Sequence, residues 1–318
     1  MSKLKKKTFL VTGGTGFIGS NICRMLIKNG YNVIIYDNNS RGNLTKIKDI
    51  KNKITFIKGD IRDRRKVFNT LKKVQAVIHL SYINGTKYFY THPELILDVG
   101  VKGVVNIIDG CIKHKIKELY LASSSEVYQT PLKIPTDENE MLKIPDIFNP
   151  RYSYGGGKIL TELMGINYGK KFFKKLIIFR PHNVYGPNMG NEHVVPEFVN
   201  QLKNKKKINN IFLIKGSGNE KRSFIFIDDF VQAFDLIIKK GKHLNIYNIG
   251  TSNIVTIKKL ALEISKIMKK KITIQNTKIA KGGTNTRCPN INKILKIGFK
   301  QRFSLRQGLE STIFNKNV

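Results

Sequence analysis

The first chemistry legible in the chain lies in T-F-L-V-T-G-G-T-G-F-I-G-S (8–20), an apolar strand, a glycine turn and an apolar helix start. Gly13 permits the tight turn, Gly16 lets backbone approach a pyrophosphate at the helix N-terminus, and Gly19 lets the helix sit close on the strand. A tight turn alone can use such a triplet; its place after a strand and before a helix is what points to a dinucleotide. The next strand ends in Tyr36-Asp37, 24 residues beyond Gly13. A carboxylate there accepts from adenosine ribose hydroxyls and repels a 2′-phosphate, which favours NAD over NADP, with nearby Arg41 as the countersignal. Two later strand ends repeat the theme. Asp60 is placed to meet the adenine amino group with Ile61 on its face, and His79-Leu80-Ser81 leaves room for a nicotinamide half.

A second set of residues could move protons. Tyr154 and Lys158 stand four apart in N-P-R-Y-S-Y-G-G-G-K (149–158), a spacing that puts both on one helix face. An ammonium close to a phenol favours the phenolate and lowers a pKa that starts at about 10. A phenolate beside a nicotinamide suits a sugar hydroxyl that is losing hydride. Ser124, in L-A-S-S-S-E-V-Y (121–128), follows a strand and would aim its hydroxyl at the same pocket to relay or share the proton.

These groups need a frame, and the hydrophobic pattern supplies one. Strand-like runs at Thr8–Thr12, Asn32–Tyr36, Ile54–Lys58, Ala76–Leu80, Glu118–Ala122 and Leu176–Arg180 alternate with helical stretches beginning near Phe17, Asp63, Pro93 and Ser153. That alternation predicts an α/β protein with a Rossmann-type, doubly wound parallel sheet. Beyond Arg180 come a strand-like Phe224–Ile227, a helix near Asp228 that Asp228-Asp229 would cap, a strand at Asn245–Asn248, a helix over Ile257–Lys270, a strand over Ile272–Gln275 and a terminal helix from about Ser304. The predicted division is 1–180 as an NAD-binding Rossmann domain, with a returning segment near 224–250, and 181–318 as a smaller, mainly substrate-binding α/β domain.

Composition sets the outer bounds. The 318 residues are 41% hydrophobic and 25% charged, ordinary for a globular protein. No run approaches the roughly 20 apolar residues of a membrane span. The basic start (1–7) is followed by only five residues before Gly13-Gly14, too few for a signal-peptide core, so a cytoplasmic setting is expected. Three scattered cysteines, Cys23, Cys111 and Cys288, indicate neither a disulfide framework nor a metal site. The net charge of +35 comes mostly from Lys spread along the chain, with short runs at 5–7, 205–207 and 269–271. A nucleic-acid reader concentrates charge on one element and adds Arg or aromatic contacts, so no nucleic-acid partner is expected.

Taken in order, the glycine motif, Asp37, Asp60-Ile61, the Ser124 loop, Tyr154/Lys158 and R-P-H-N-V-Y-G-P (180–187) resemble the extended short-chain dehydrogenase/reductase family, specifically its NAD-dependent nucleotide-sugar epimerases and dehydratases. The resemblance runs from about residue 8 to 312. It implies Tyr154 as base, Lys158 on the nicotinamide ribose, Ser124 on the substrate hydroxyl, and Phe17, Ile18 and Leu80 among the cofactor contacts. It implies oxidation at C4 of a nucleotide-diphosphate sugar, with Asn183, Arg222 and Arg287 around the diphosphate, 190–198 along the base, and a homodimer formed through a helix pair.

Glu126 bears on the fate of the 4-keto sugar. Dehydratases and UDP-glucuronate decarboxylases resemble this chain in carrying Glu there; in dehydratases it takes the C5 proton. The expected activity is therefore epimerase/dehydratase, with a decarboxylase as the alternative and, from another class, a non-catalytic dinucleotide-binding sensor or scaffold with a basic surface. A one-way 4-keto reductase would prefer NADPH, against Asp37. Departures from the family pattern are Gln129 for a usual Gly, Tyr82 for a usual Ala, and an aromatic-rich 83–90, the last two of which leave the sugar open.

Overall fold

Continuous Val/Ile/Phe-rich runs such as NVIIYD and AVIH cannot present one face to water, so they form strands buried on both sides, as parallel sheets require. The computed structural model describes residues 6–203, 210–278 and 282–314. In chain order the strands are β1 Thr8–Thr12, β2 Asn32–Asp37, β3 Ile54–Lys58, β4 Ala76–His79, β5 Glu118–Ala122, β6 Lys175–Pro181, β7 Val184–Tyr185, β8 Ile211–Lys215, β9 Lys221–Ser223, β10 Ile225–Phe226, β11 Asn245–Ile249, β12 Ile254–Thr256, β13 Thr273–Thr277 and β14 Thr286–Arg287. The helices are α1 Phe17–Lys28, α2 Arg64–Leu71, α3 Thr86–Thr91, α4 Pro93–Lys113, α5 Tyr152–Phe172, α6 Val194–Lys203, α7 Ile227–Lys240, α8 Ile257–Ile267, α9 Asn292–Lys296 and α10 Leu305–Phe314.

Seven parallel strands form the main sheet in the order β11-β6-β5-β4-β1-β2-β3. Val11 of β1 pairs in register with Ile35 on one side and Ile78 on the other. The chain therefore winds outward through β2 and β3, then returns to β4 on the opposite side of β1. That reversal opens a crevice at the carboxyl ends of β1 and β4, where ligands bind in such sheets. Phe9, Val11, Ile35, Ile78 and Phe179 pack on one face with Ile22 and Leu26 of α1 and Phe230 and Phe234 of α7. Leu10, Val77, Leu119 and Ile178 pack on the other with Val67 and Leu71 of α2 and Val104, Ile107 and Ile108 of α4.

Three elements depart from expectation. The run 224–227 is not one strand: β9 pairs with β12 and β14 while β10 pairs with β7, so the chain changes sheets at Phe224. Helix α8 stops at Ile267, three residues short of Lys270, and Lys269 takes a left-handed φ of 54°. Asp228 and Asp229 do not cap α7, whose N-cap is Phe226. The buried Asp229 carboxylate instead accepts from the backbone N–H groups of Arg302 and Phe303, tying the C-terminal segment down. The lysine run 205–207 lies outside the described residues.

Candidate active site

The crevice widens into a cavity of about 890 Å³ that reaches from the glycine turn to the loop carrying β14. All the site residues singled out from sequence line it: Gly13, Gly16, Phe17, Ile18, Gly19, Asp37, Asp60, Ile61 and Leu80 at one end, Ser124, Glu126, Tyr154 and Lys158 in the middle, and Asn183, Arg222 and Arg287 at the other.

At the first end, Gly13 has a left-handed φ of 72° and a Cβ there would lie 3.0 Å from the Ser81 nitrogen; at Gly19 it would lie 2.2 Å from the Gly13 carbonyl oxygen. No side chain fits either place. The N-terminus of α1 begins at Gly16 with no side-chain cap and no acid in its first turn. Its open amides face the cavity end where a pyrophosphate would sit, so the residues present fit a dinucleotide. Asp37 does more than face a ribose. It accepts from the Thr15 amide (3.0 Å), the Thr15 hydroxyl (2.6 Å) and the Asn39 amide (2.9 Å), which anchors the glycine turn. Those donors use three of about four carboxylate acceptor positions. Asp60 is held by Arg62 and Asn38, and the Arg62 hydrogen bonds chiefly hold its carboxyl down at about 2. Arg41 is engaged with Glu192 at 2.7 Å through one nitrogen and with the Tyr88 ring, while its Nη1 is buried without a hydrogen-bond partner.

In the middle, Tyr154 emerges from the first turn of α5 with its ring stacked on Phe89 (5.1 Å between centroids) and met edge-on by Tyr82 (5.2 Å). Its hydroxyl hydrogen-bonds Ser124, whose Oγ also accepts from the Glu126 amide at 3.2 Å. The lowering of the phenol expected from the Lys158 spacing is not what the structure shows. Burial pushes the Tyr154 phenol up, the Ser124 hydrogen bond opposing it. Lys158 donates to the Ala122 carbonyl at 2.7 Å and sits 3.9 Å above the Tyr82 ring, against 5.8 Å from that of Tyr154. Burial in turn pushes the Lys158 amine down to about 7, with Glu162 opposing. Four-residue spacing set the shared face; aromatic packing decided the electrostatics.

At the far end, burial raises the Glu126 carboxyl but Arg287 outweighs it, holding the group at about 2. Arg287 donates to Glu126 from both Nη atoms, at 2.6 and 3.1 Å. Arg151 adds a longer contact of 3.7 Å, and the Nε atoms of Arg151 and Arg287 are buried without hydrogen-bond partners. Arg222 donates to the carbonyls of Lys221, Thr284 and Asn285. Burial, then the neighbouring Arg287, lowers Arg222 to about 10. Asn183, at a φ of 40°, donates to the Ser223 carbonyl and lines the same end.

Sequence reasoning passed over Arg151, three residues before Tyr154, although a cation opening a helix start is an unusual choice against the helix dipole. The departures from family pattern also find their places in the run Gly155-Gly156-Gly157. Gln129, at a φ of 51°, donates Nε2 to the Glu126 carbonyl, and a Cβ at Gly155 would fall 2.5 Å from that nitrogen.

A family model described as NAD dependent epimerase/dehydratase family matches residues 9–250. A putative UDP-glucose 4-epimerase of Methanocaldococcus jannaschii is 32% identical over 316 residues, covering 96% of both chains. A dTDP-D-glucose 4,6-dehydratase of Dictyostelium discoideum is 32% identical over 271 residues, which is 79% of this chain but only 61% of that protein's length. The fold matches the structure of a dTDP-glucose 4,6-dehydratase from Bacillus anthracis in complex with NAD, with a TM-score of 0.83 and 25% identity over 96% of this chain and 95% of that one.

Proposed function

We propose that this chain, which belongs to the NAD-dependent epimerase/dehydratase family, acts on a nucleotide-diphosphate sugar through a 4-keto intermediate, with Tyr154 as base and Glu126 acting at C5. One observation carries the reading: Ser124, Tyr154 and Lys158 line the same cavity as the glycine turn at one end and the Arg222/Arg287 pair at the other. NAD, when bound, supplies the acceptor and returning donor of a hydride at C4.

The Lys158 ammonium supplies the positive charge that lets Tyr154 give up its own proton beforehand; the resulting phenolate then takes the C4 hydroxyl proton and returns to the phenol, while Ser124 holds that hydroxyl in line. Arg222 and Arg287 grip the diphosphate, which suits their planar donor forks. When Arg287 turns to the diphosphate, Glu126 loses its chief counter-ion and burial then raises it, so that it can take the proton acidified by the 4-ketone. Arg151, Arg222 and Arg287 stand together at the Glu126 end of the cavity, where a diphosphate would add negative charge. The exposed Leu97 of α4 and Leu160 and Leu163 of α5 support a homodimer formed through this helix pair.

Mass spectrometry of products from a panel of UDP-, GDP-, dTDP- and CDP-sugars tests this. Loss of water marks a dehydratase, unchanged mass with new retention an epimerase, and loss of carbon dioxide a decarboxylase. Tyr154→Phe should lower turnover by ~10²–10⁴-fold while leaving NAD bound; an inert panel and an unaffected Tyr154→Phe variant would return the chain to a sensor or scaffold.

A further inference from the structure

Tyr82 stands where the family pattern has a small residue, and two helices make room for it. Its ring enters between α4 and α5, against a glycine on each: a Cβ at Gly100 would lie 2.2 Å from the ring end, and one at Gly157 2.1 Å from the hydroxyl oxygen. Glycine inside a helix is costly, so two of them aimed at one ring show that the ring's place matters. The hydroxyl itself gains nothing, because it is buried without a hydrogen-bond partner. What the placement secures is the ring face, which lies 3.9 Å beneath Lys158 Nζ.

We propose that Tyr82 is a positioning residue for Lys158: its ring face holds the ammonium in its charged form, at the Ala122 carbonyl, inside a cavity that would otherwise strip its proton. This rests on the role given to Lys158 above. The surroundings leave little else to do it. From α5, Glu162 favours the charge and Tyr154 faces the same space with its phenol protonated. From β4, His79 is held neutral by burial and bonded to Thr12, so it offers no negative charge. From β5 comes only the Ala122 carbonyl. A desolvated ammonium over an aromatic face is stabilised by the ring quadrupole.

The test reads the Lys158 titration directly, without substrate. The rate of acetylation of Lys158 by acetic anhydride is followed against pH, peptide by peptide, by mass spectrometry on the NAD-containing protein. Tyr82→Phe should keep the parent midpoint, because the face is retained. Pentafluorophenylalanine at position 82, nearly isosteric but with its quadrupole reversed, should lower the midpoint by about one pH unit. Gly157→Ala, which displaces the ring without altering it, should lower it similarly, and the alkaline limb of kcat should move with the midpoint while KM does not. A parent midpoint retained with the fluorinated ring would overturn the proposal, as would a Tyr82→Phe shift as large as the fluorinated one, which would assign the effect to the hydroxyl. If the midpoints move as expected but no nucleotide sugar is turned over by the parent, the functional reading fails and the Tyr82–Lys158 relation stands.

Discussion

Two buried glutamate–arginine pairs lie in this molecule and were built to different ends. Arg180 of β6 meets Glu162 of α5 through Nε and Nη2 at 2.8 and 2.5 Å, and its remaining nitrogen donates to the Tyr128 hydroxyl and the Glu138 carbonyl. Glu162 also accepts from Ser123. Both side chains are 5% exposed or less. Arg287 and Glu126 form an equally direct pair, yet the glutamate keeps 20% of its surface in the cavity and Arg287 keeps an unpartnered Nε. A pair with every nitrogen partnered is scaffold, whereas one with an unpartnered nitrogen and an open side can exchange partners. The chemistry of the residues is the same; only their surroundings separate the roles.

Stability should divide the pairs most widely. Arg180→Met leaves Glu162 as a sealed charge, with an expected loss of about 3–5 kcal/mol in denaturant unfolding. Arg287→Met should cost less, about 2 kcal/mol, since Glu126 retains Arg151 and faces the cavity; equal losses would erase the distinction. Binding should then divide them in the opposite sense. By calorimetry, Arg287→Met should weaken nucleotide-sugar affinity by roughly 10–100-fold, the worth of charged hydrogen bonds, while folded Arg180→Met stays near the parent. A drop for Arg180→Met alone would sink the assignment of Arg287.

Acid titration gives a smaller signal. Glu126 is depressed from 4.5 to about 2, so its stabilisation is complete above about 4.5 and fades as pH falls towards 2. The parent should exceed Glu126→Gln by ~2 kcal/mol near neutrality, with the gap closing across that acid window. A gap unchanged at pH 2 would mean that the charge is not what Arg287 holds. The smallest effect belongs to the Arg24–Asp49 pair on the surface. Its contact of 2.7 Å is as close as those of the buried pairs, yet water competes for both partners, so Arg24→Ala should cost under about 1 kcal/mol in the same unfolding assay.

Much of the frame was legible because it depends on local pattern. β1, β3 and β5 run where their β-branched and aromatic runs predict, and Asp63 caps α2 through the Lys66 amide as a polar residue before a helical stretch should. The short helix α3 was hidden because aromatic residues 88–90 follow no helical period of their own and are held by packing around Tyr154. The split of 221–226 was hidden because a strand's partners are not written in the strand.

The candidate site divides in the same way. Residue types and spacing alone determined the glycine turn, the acid closing β2, and the shared face of Tyr154 and Lys158, since backbone sterics and helical period act over a few residues. Only the tertiary structure decided that Lys158 rests on Tyr82, that Glu126 is clasped by Arg287 from 161 residues away, and that Arg151 joins them. Those outcomes depend on desolvation and on charges brought together by folding, and both act through distances in space to which separation along the chain gives no guide.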